Sequence, residues 1–172
     1  MKHPDSPKMI AYVSLMTAAI ALASALLKFP ILFGYVHLGD GLIFVAAMII
    51  GPYAAMPAAV GSAMADVFSG YLIYAPVTFL IKGVMGWAAG YFSMQLRDIK
   101  HPYIFLTVVY VLCELWMAFG YLVYDWFLYK EAALGMLPFN LLQGVFGILI
   151  GLIFVKAFHR IRPLENLAED KD

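Results

Sequence analysis

Charge is scarce in this sequence. Eleven Lys and Arg and eleven Asp and Glu amount to 13% of 172 residues and cancel to a formal net charge of zero. Soluble domains carry about a quarter charged residues, and a balanced charge leaves no basic footprint, so nucleic acid is excluded as a partner. Cysteine is nearly absent too. Cys113 stands alone in an apolar run, so no intrachain disulfide exists, and no paired Cys/His spacing or HExxH signals a metal. No metal and no cofactor is expected. A phosphate-cradling GxxxxGK[ST] loop is missing, so the chain does not use ATP by itself. GSAMAD at 61–66 does not match the GxSxG nucleophile turn. No catalytic set is assigned, and no inverted repeat supports a self-sufficient alternating-access carrier.

What fills the chain instead is apolar: 64% hydrophobic residues and 16% aromatics, with a mean hydropathy of +0.86. A soluble core of this size has too little interior to hide that surface. The composition is that of an all-α integral membrane protein, read as one domain over 1–172. Six transmembrane helices are expected at about 9–27, 41–51, 53–68, 76–96, 103–124 and 135–158, each apolar run closed by turn or charge signals. The polar start MKHPDSPK before an apolar run resembles a leader, but the run outlasts an ordinary leader core and reads as an uncleaved first span. The second and third spans are short, which implies a bent or partly buried path.

Six spans put both termini on one side. Lys2, Lys8, Arg97, Lys100, Lys156, Arg160, Arg162 and Lys171 all fall on that side, and only Lys28 and Lys130 on the other. The excess of basic residues makes the termini cytoplasmic.

The chain is organised around 37–83, HLGDGLIFVAAMIIGPYAAMPAAVGSAMADVFSGYLIYAPVTFLIKG. Within it Ala54, Ala58, Gly61, Ser62 and Ala65 make a small-residue face suited to close helix contact. Asp40, Asp66 and Lys82 interrupt it, and ionisable groups at membrane depth are expensive enough to indicate function. At about 1.5 Å per residue, Lys82 lies roughly 10 Å, Glu114 about 15 Å, and Asn140 and Gln143 roughly 8 and 12 Å inside the outer ends of their spans. Asp66 lies near the outer end of the third span. These groups share the outer half of the membrane, which points to a cavity open to the outside that binds a small ligand.

The assigned ligand contacts are His37, Asp66, Tyr74, Lys82, Glu114, Tyr121, Asn140 and Gln143, with Tyr110, Tyr124, Trp116 and Trp126 as further candidate walls. The apolar loop from Lys28 to Asp40, broken by Pro30 and Gly34, is expected to fold over the cavity as a lid. The same polar groups also allow plainer roles: Lys82 pairing with Glu114 to staple two helices, Asn140 and Gln143 as interhelical hydrogen bonds, and Trp and Tyr as interfacial belts. In the first span Ser14, Ala18, Ala21 and Ala25 form a stripe, with Ala19 and Ala23 beside it. Such a stripe serves the protein's own helices or a second membrane protein.

The runs LGDGLIFVAAMIIGP (38–52) and GSAMADVFSGYLIYAPVTFLIKGVMG (61–86), together with the small residues of the first span, resemble the substrate-binding S-components of energy-coupling factor (ECF) vitamin transporters. The likeness is strongest over 37–86; residues 103–172 share layout and polarity. It implies a six-helix subunit of a prokaryotic plasma membrane that captures a vitamin from outside. It also implies partners: a membrane coupling subunit (T-component), docked through small residues among Ser14, Ala18, Ala19, Ala21, Ala23 and Ala25, and two cytoplasmic ATPases. The wording of these runs is most like the branch assigned to pyridoxine or hydroxymethylpyrimidine. Two other readings stand beside it: a membrane-embedded enzyme using Asp40, Asp66 and Glu114 as acid–base groups, and a stand-alone carrier.

Overall fold

The computed structural model describes residues 6–96, 99 and 102–158. Lys2, Arg97, Lys100, Arg160, Arg162 and Lys171, which carry most of the orientation argument, lie outside the described residues. Among the described residues are six α-helices: α1 (Ser6–Leu26), α2 (Gly39–Ile50), α3 (Ala55–Phe68), α4 (Ala75–Gln95), α5 (Pro102–Tyr129) and α6 (Leu137–Phe158). A two-stranded antiparallel hairpin, β1 (Lys28–Pro30) and β2 (Tyr35–His37), pairs Lys28 with His37 and Pro30 with Tyr35. The expected loop over the cavity is therefore a small sheet in an otherwise helical protein. Pro30 and Gly34 sit at its turn, where a broken helix register favours a hairpin.

Among the described residues, four segments are long and apolar enough to cross a membrane: Pro7–Leu26, Gly39–Phe68, Pro102–Gly135 and Leu137–Ala157. Gly39–Phe68 is not one rod. Gly51 adopts φ 57°, which glycine tolerates because it has no Cβ, and Gly51–Ala54 forms a 3-10 turn led by Pro52. Beyond it α3 runs back along α4: Gly83 meets Ala59, Gly86 meets Ala54 and Ala58, and Gly90 meets Gly51. These glycines are required by the close approach, since a Cβ on Gly86 would stand 2.7 Å from the Ala54 carbonyl oxygen. The helix α4 has the length of a span but not the apolarity, diluted by Pro76, Thr78, Lys82 and its glycines.

The remaining contacts give each helix the opposite direction to the one before it. On α5, Trp116 donates to the Ile81 carbonyl at 3.2 Å and Tyr121 meets Thr78. On α6, Gly144 and Gly147 pack on Glu114, and Gly151 on Phe44 and Tyr110. Phe44 and Tyr110 stack at 4.0 Å in the interior. Around them lie Ile20, Ile43, Ile81, Met85 and Met117, all buried. Outward faces are apolar as well, with Leu15, Leu22, Leu112, Phe119, Leu149 and Ile153 exposed, the pattern of helices solvated by lipid.

The helix ends differ from the sequence reading by at most three residues, except at the end of α5. The helix α5 continues to Tyr129, past the expected end at Tyr124. Asp125, the charge just beyond the expected span, is buried and accepts a hydrogen bond from the Tyr74 hydroxyl at 2.6 Å. The hydrogen bond from Tyr74 offsets part of the cost of burying this carboxylate, so the helix need not end there.

Candidate functional site

At the end of the bundle under the hairpin lies a cavity of about 430 Å³, counting its open mouth. It is lined by Gly34, Tyr35, His37, Asp66, Tyr71, Tyr74, Thr78, Tyr121, Asp125, Met136, Asn140 and Gln143. Local structure explains the set. Tyr35 and His37 are alternate residues of β2 and so share one face. Asp66 is in the last turn of α3, and the chain then reverses through Ser69 and Gly70 (φ 84°). There the Tyr71 amide donates to the Asp66 carbonyl at 2.9 Å. Pro76 opens α4 with a preset φ, which brings Tyr71, Tyr74 and Thr78 to the rim. Tyr121 and Asp125 lie four apart on α5, and Asn140 and Gln143 three apart on α6, each pair on one helix face.

Hydrogen bonds hold the hairpin closed on both sides. The Tyr35 hydroxyl donates to Asp66 Oδ1 at 2.6 Å, the Tyr71 hydroxyl to the Gly34 carbonyl at 3.3 Å, and Lys28 Nζ to Ser69 Oγ at 2.6 Å. The Lys28 ammonium also lies 5.3 Å over the Tyr35 ring. Across the cavity the His37 amide donates to Gln143 Oε1 at 3.0 Å, and His37 Nδ1 accepts from the Gly39 amide at 3.0 Å. Burial pushes the His37 imidazole down to about 4, so the ring is neutral at neutral pH. Burial, then the Asp66 carboxylate, raises the Tyr35 hydroxyl above its usual range, while burial and Asp125 do the same for Tyr74. Both phenols therefore act as fixed hydrogen-bond donors.

Beneath the cavity is a second polar layer. Gln143 Nε2 donates to Asp40 Oδ2 at 2.7 Å, and Asp40 Oδ1 takes Lys82 Nζ at 2.5 Å, with both charged side chains fully buried. Lys82 also lies 5.7 Å from the Tyr121 ring. Glu114 is buried against Gly144 and Gly147, and neither of its carboxylate oxygens has a hydrogen-bond partner among the described residues.

Of the eight assigned ligand contacts, His37, Asp66, Tyr74, Tyr121, Asn140 and Gln143 come together on the cavity wall. Lys82 and Glu114 are not on that wall. Lys82 is paired, and with Asp40 rather than with Glu114, because α2 enters between α4 and α6 at that depth. Tyr110 is an interior residue stacked on Phe44, and Trp116 and Trp126 are about half exposed on the outer face of α5. Tyr124 points to the α4 end, donating to the Ile73 carbonyl at 2.6 Å.

Sequence reasoning missed Tyr35, Tyr71, Thr78 and Asp125 as wall residues. The alternation of Tyr35 with His37 and the four-residue spacing of Asp125 from Tyr121 were the available signals. The small stripe of α1 is divided between two faces. Ser14 and Ala18 are exposed, whereas Ala21 is buried and Ala19, Ala23 and Ala25 are half-buried. The inward side meets α3, where Gly61 touches the Thr17 carbonyl and Ile20.

Residues 5–160 match the family model described as "ECF-type riboflavin transporter, S component". The chain is also similar to a Pyrococcus woesei protein described as "Uncharacterized protein in gap 3'region". The two are 33% identical over 137 residues, covering 77% of this chain and 89% of that one.

Proposed function

From the premise that this chain belongs to the family of ECF-type transporter S components, a transport subunit and not an enzyme, we propose that the cavity under the hairpin captures a single-ring heteroaromatic vitamin, pyridoxine or hydroxymethylpyrimidine. Members of this family are multi-pass proteins of the prokaryotic plasma membrane. The orientation proposed is six crossings with both termini cytoplasmic, which turns the hairpin and the cavity to the outside.

The observation that carries the reading is the cavity wall itself. Tyr35, Tyr71, Tyr74 and Tyr121 surround it with neighbouring ring centroids 5.1 to 6.5 Å apart. These rings, tilted 42° to 72° to one another, give the cavity aromatic faces and edges, and aromatic walls with a few placed polar groups are what small-molecule sites use. Asp66, Thr78, Asn140 and Gln143 then meet the ring's polar edge. Lys82 acts from below by holding Asp40, and through it Gln143, in place; Glu114 spaces α5 from α6 at the same depth. A second reading, riboflavin, is favoured by the matching family model, which is that of riboflavin-type S components.

The loaded subunit would present the exposed part of the α1 stripe, Ser14 and Ala18, to a membrane coupling subunit served by two cytoplasmic ATPases. The half-buried Ala19, Ala23 and Ala25 border that face, and Ala21 supports it from inside. Native mass spectrometry of the purified protein, followed by titration with hydroxymethylpyrimidine, pyridoxine and riboflavin, tests the assignment. One-to-one binding of a single-ring vitamin supports it; riboflavin as the sole ligand replaces it with the second reading; no binding by any of the three overturns both.

A further inference from the structure

The cavity holds two carboxylates and no cation. Among its lining residues Asp66 and Asp125 are acidic, and none is Lys or Arg. The Lys82 and Lys28 ammonium groups are committed elsewhere: Lys82 to Asp40, and Lys28 to Ser69 above the rim. His37 is neutral, its Nδ1 occupied by the Gly39 amide. The two carboxylates are not equivalent. Asp125 Oδ1 receives the Tyr74 hydroxyl, and Asp66 Oδ1 receives the Tyr35 hydroxyl. Asp66 Oδ2 is buried and has no hydrogen-bond partner, in a residue only 6% exposed. Thr78 is close by, and its hydroxyl shares with that of Tyr121 a hydrogen bond of 2.9 Å in which either oxygen can donate, so Thr78 is the protein group able to turn a donor toward Asp66 when no ligand is bound.

An acceptor carrying negative charge, buried with no donor, costs free energy unless a ligand supplies the donor. We propose that Asp66 Oδ2 is the anchor that selects the ligand: it accepts a hydrogen bond from an amine, hydroxyl or protonated ring nitrogen. The same carboxylate, with Asp125 beside it, turns away vitamins that carry a phosphate or carboxylate. The substrate class is thus an unphosphorylated, donor-bearing nitrogen heteroaromatic. Tyr35 has a distinct task. By donating to Oδ1 it fixes the carboxylate plane, and because Tyr35 belongs to the hairpin, the anchor is aimed only when the hairpin is down. This inference rests on the reading of the cavity as a vitamin site.

The test is isothermal titration of the full chain in detergent with hydroxymethylpyrimidine, pyridoxine and riboflavin, each beside its monophosphate ester. The expected result is that the bound parent compound exceeds its ester by at least about tenfold, since like charges brought together cost several kcal/mol. Asp66→Asn offers Tyr35 and the ligand one acceptor where the carboxylate offers two. It is expected to weaken the parent by about 10- to 100-fold, as for loss of a hydrogen bond to a charged group. The ester should lose less, so the parent-to-ester ratio narrows, a change that general loosening of the fold would not produce. An ester that binds wild type as tightly as its parent overturns the proposal, as does an unchanged parent affinity in a folded Asp66→Asn. Should that variant not fold, the wild-type comparison decides alone. A wild type that binds none of the parents overturns the cavity reading itself and this inference with it.

Discussion

Lys82 of α4 and Asp40 at the start of α2 form an ion pair 2.5 Å apart, both side chains fully buried, 42 residues apart in the chain. The pair ties two helices at the depth where α6 delivers Gln143, whose amide nitrogen occupies the second Asp40 oxygen. One fixed point thus connects the floor of the cavity to the hairpin above it, through Gln143 and the His37 amide.

Breaking that pair on one side leaves a charge in an apolar interior. Asp40→Leu or Lys82→Met alone is expected to cost about 3–5 kcal/mol, while the two replacements together recover most of it. Thermal unfolding in detergent of the four proteins gives the coupling. Additive single effects would show that the two side chains act separately.

Gln143→Leu keeps the volume but removes both links, to the His37 amide and to Asp40. Ligand affinity is expected to fall about tenfold or more, since two buried polar groups lose their partner, and ligand dissociation should accelerate. Dissociation rates unchanged in the variant would separate the hairpin from the floor.

The approach of α6 rests on its glycines. A Cβ on Gly147 would stand 2.9 Å from the Asp40 Cβ and press on the Glu114 carboxylate, and one on Gly144 would stand 2.9 Å from the Glu114 Cβ. Gly147→Ala is expected to destabilise by about 1–3 kcal/mol through overpacking. Glu114→Ala in the same background vacates that space, so thermal stability of the double variant should exceed that of Gly147→Ala.

Closure of the hairpin should depend on pH through His37. Burial holds the imidazole near 4 in the closed form, against an ordinary 6.5. The closed form therefore keeps its full advantage above about 6.5 and loses it as pH falls from there toward about 4, by at most about tenfold per pH unit. Ligand affinity measured across this range is expected to decline with acid in wild type and to stay flat over the same window in His37→Asn, whose amide oxygen still accepts from the Gly39 amide.

The division of the α1 stripe yields a paired expectation. Ala18→Leu lies on the exposed face, so ligand binding should be unchanged while co-purification with the coupling subunit is lost. Ala21 is buried, and Ala21→Leu is expected to lower thermal stability by about 1–3 kcal/mol by overpacking the contact with α3. Equal loss of co-purification in both, at equal stability, would place the docking face elsewhere.

The helices were legible because a bilayer enforces a simple rule: backbone polar groups must pair within the segment, and the segment must be apolar. The two short helices end in the structure at Gly51-Pro52 and at Ser69-Gly70, dipeptides of the kind that marks turns. The extension of α5 through Asp125 is not visible locally, since the partner Tyr74 is 51 residues away. Six of eight assigned contacts reach the cavity because span-by-span depth is a one-dimensional quantity that a sequence contains. Which way each side chain turns is not.

The sequence by itself determined the class of molecule and the depth of its polar groups, both of which follow from hydrophobicity and from helix rise per residue. Only the tertiary structure decided who pairs with whom. Asp40, placed at the mouth of α2 by counting residues, descends between α4 and α6 and takes Lys82 from Glu114. Tyr35, in a stretch that reads only as an apolar lid loop, reaches Asp66 once the hairpin folds. Partner choice in a buried polar cluster is set by interhelical geometry, where a shift of one helix face exchanges one acceptor for another, and no local pattern in the chain records that shift.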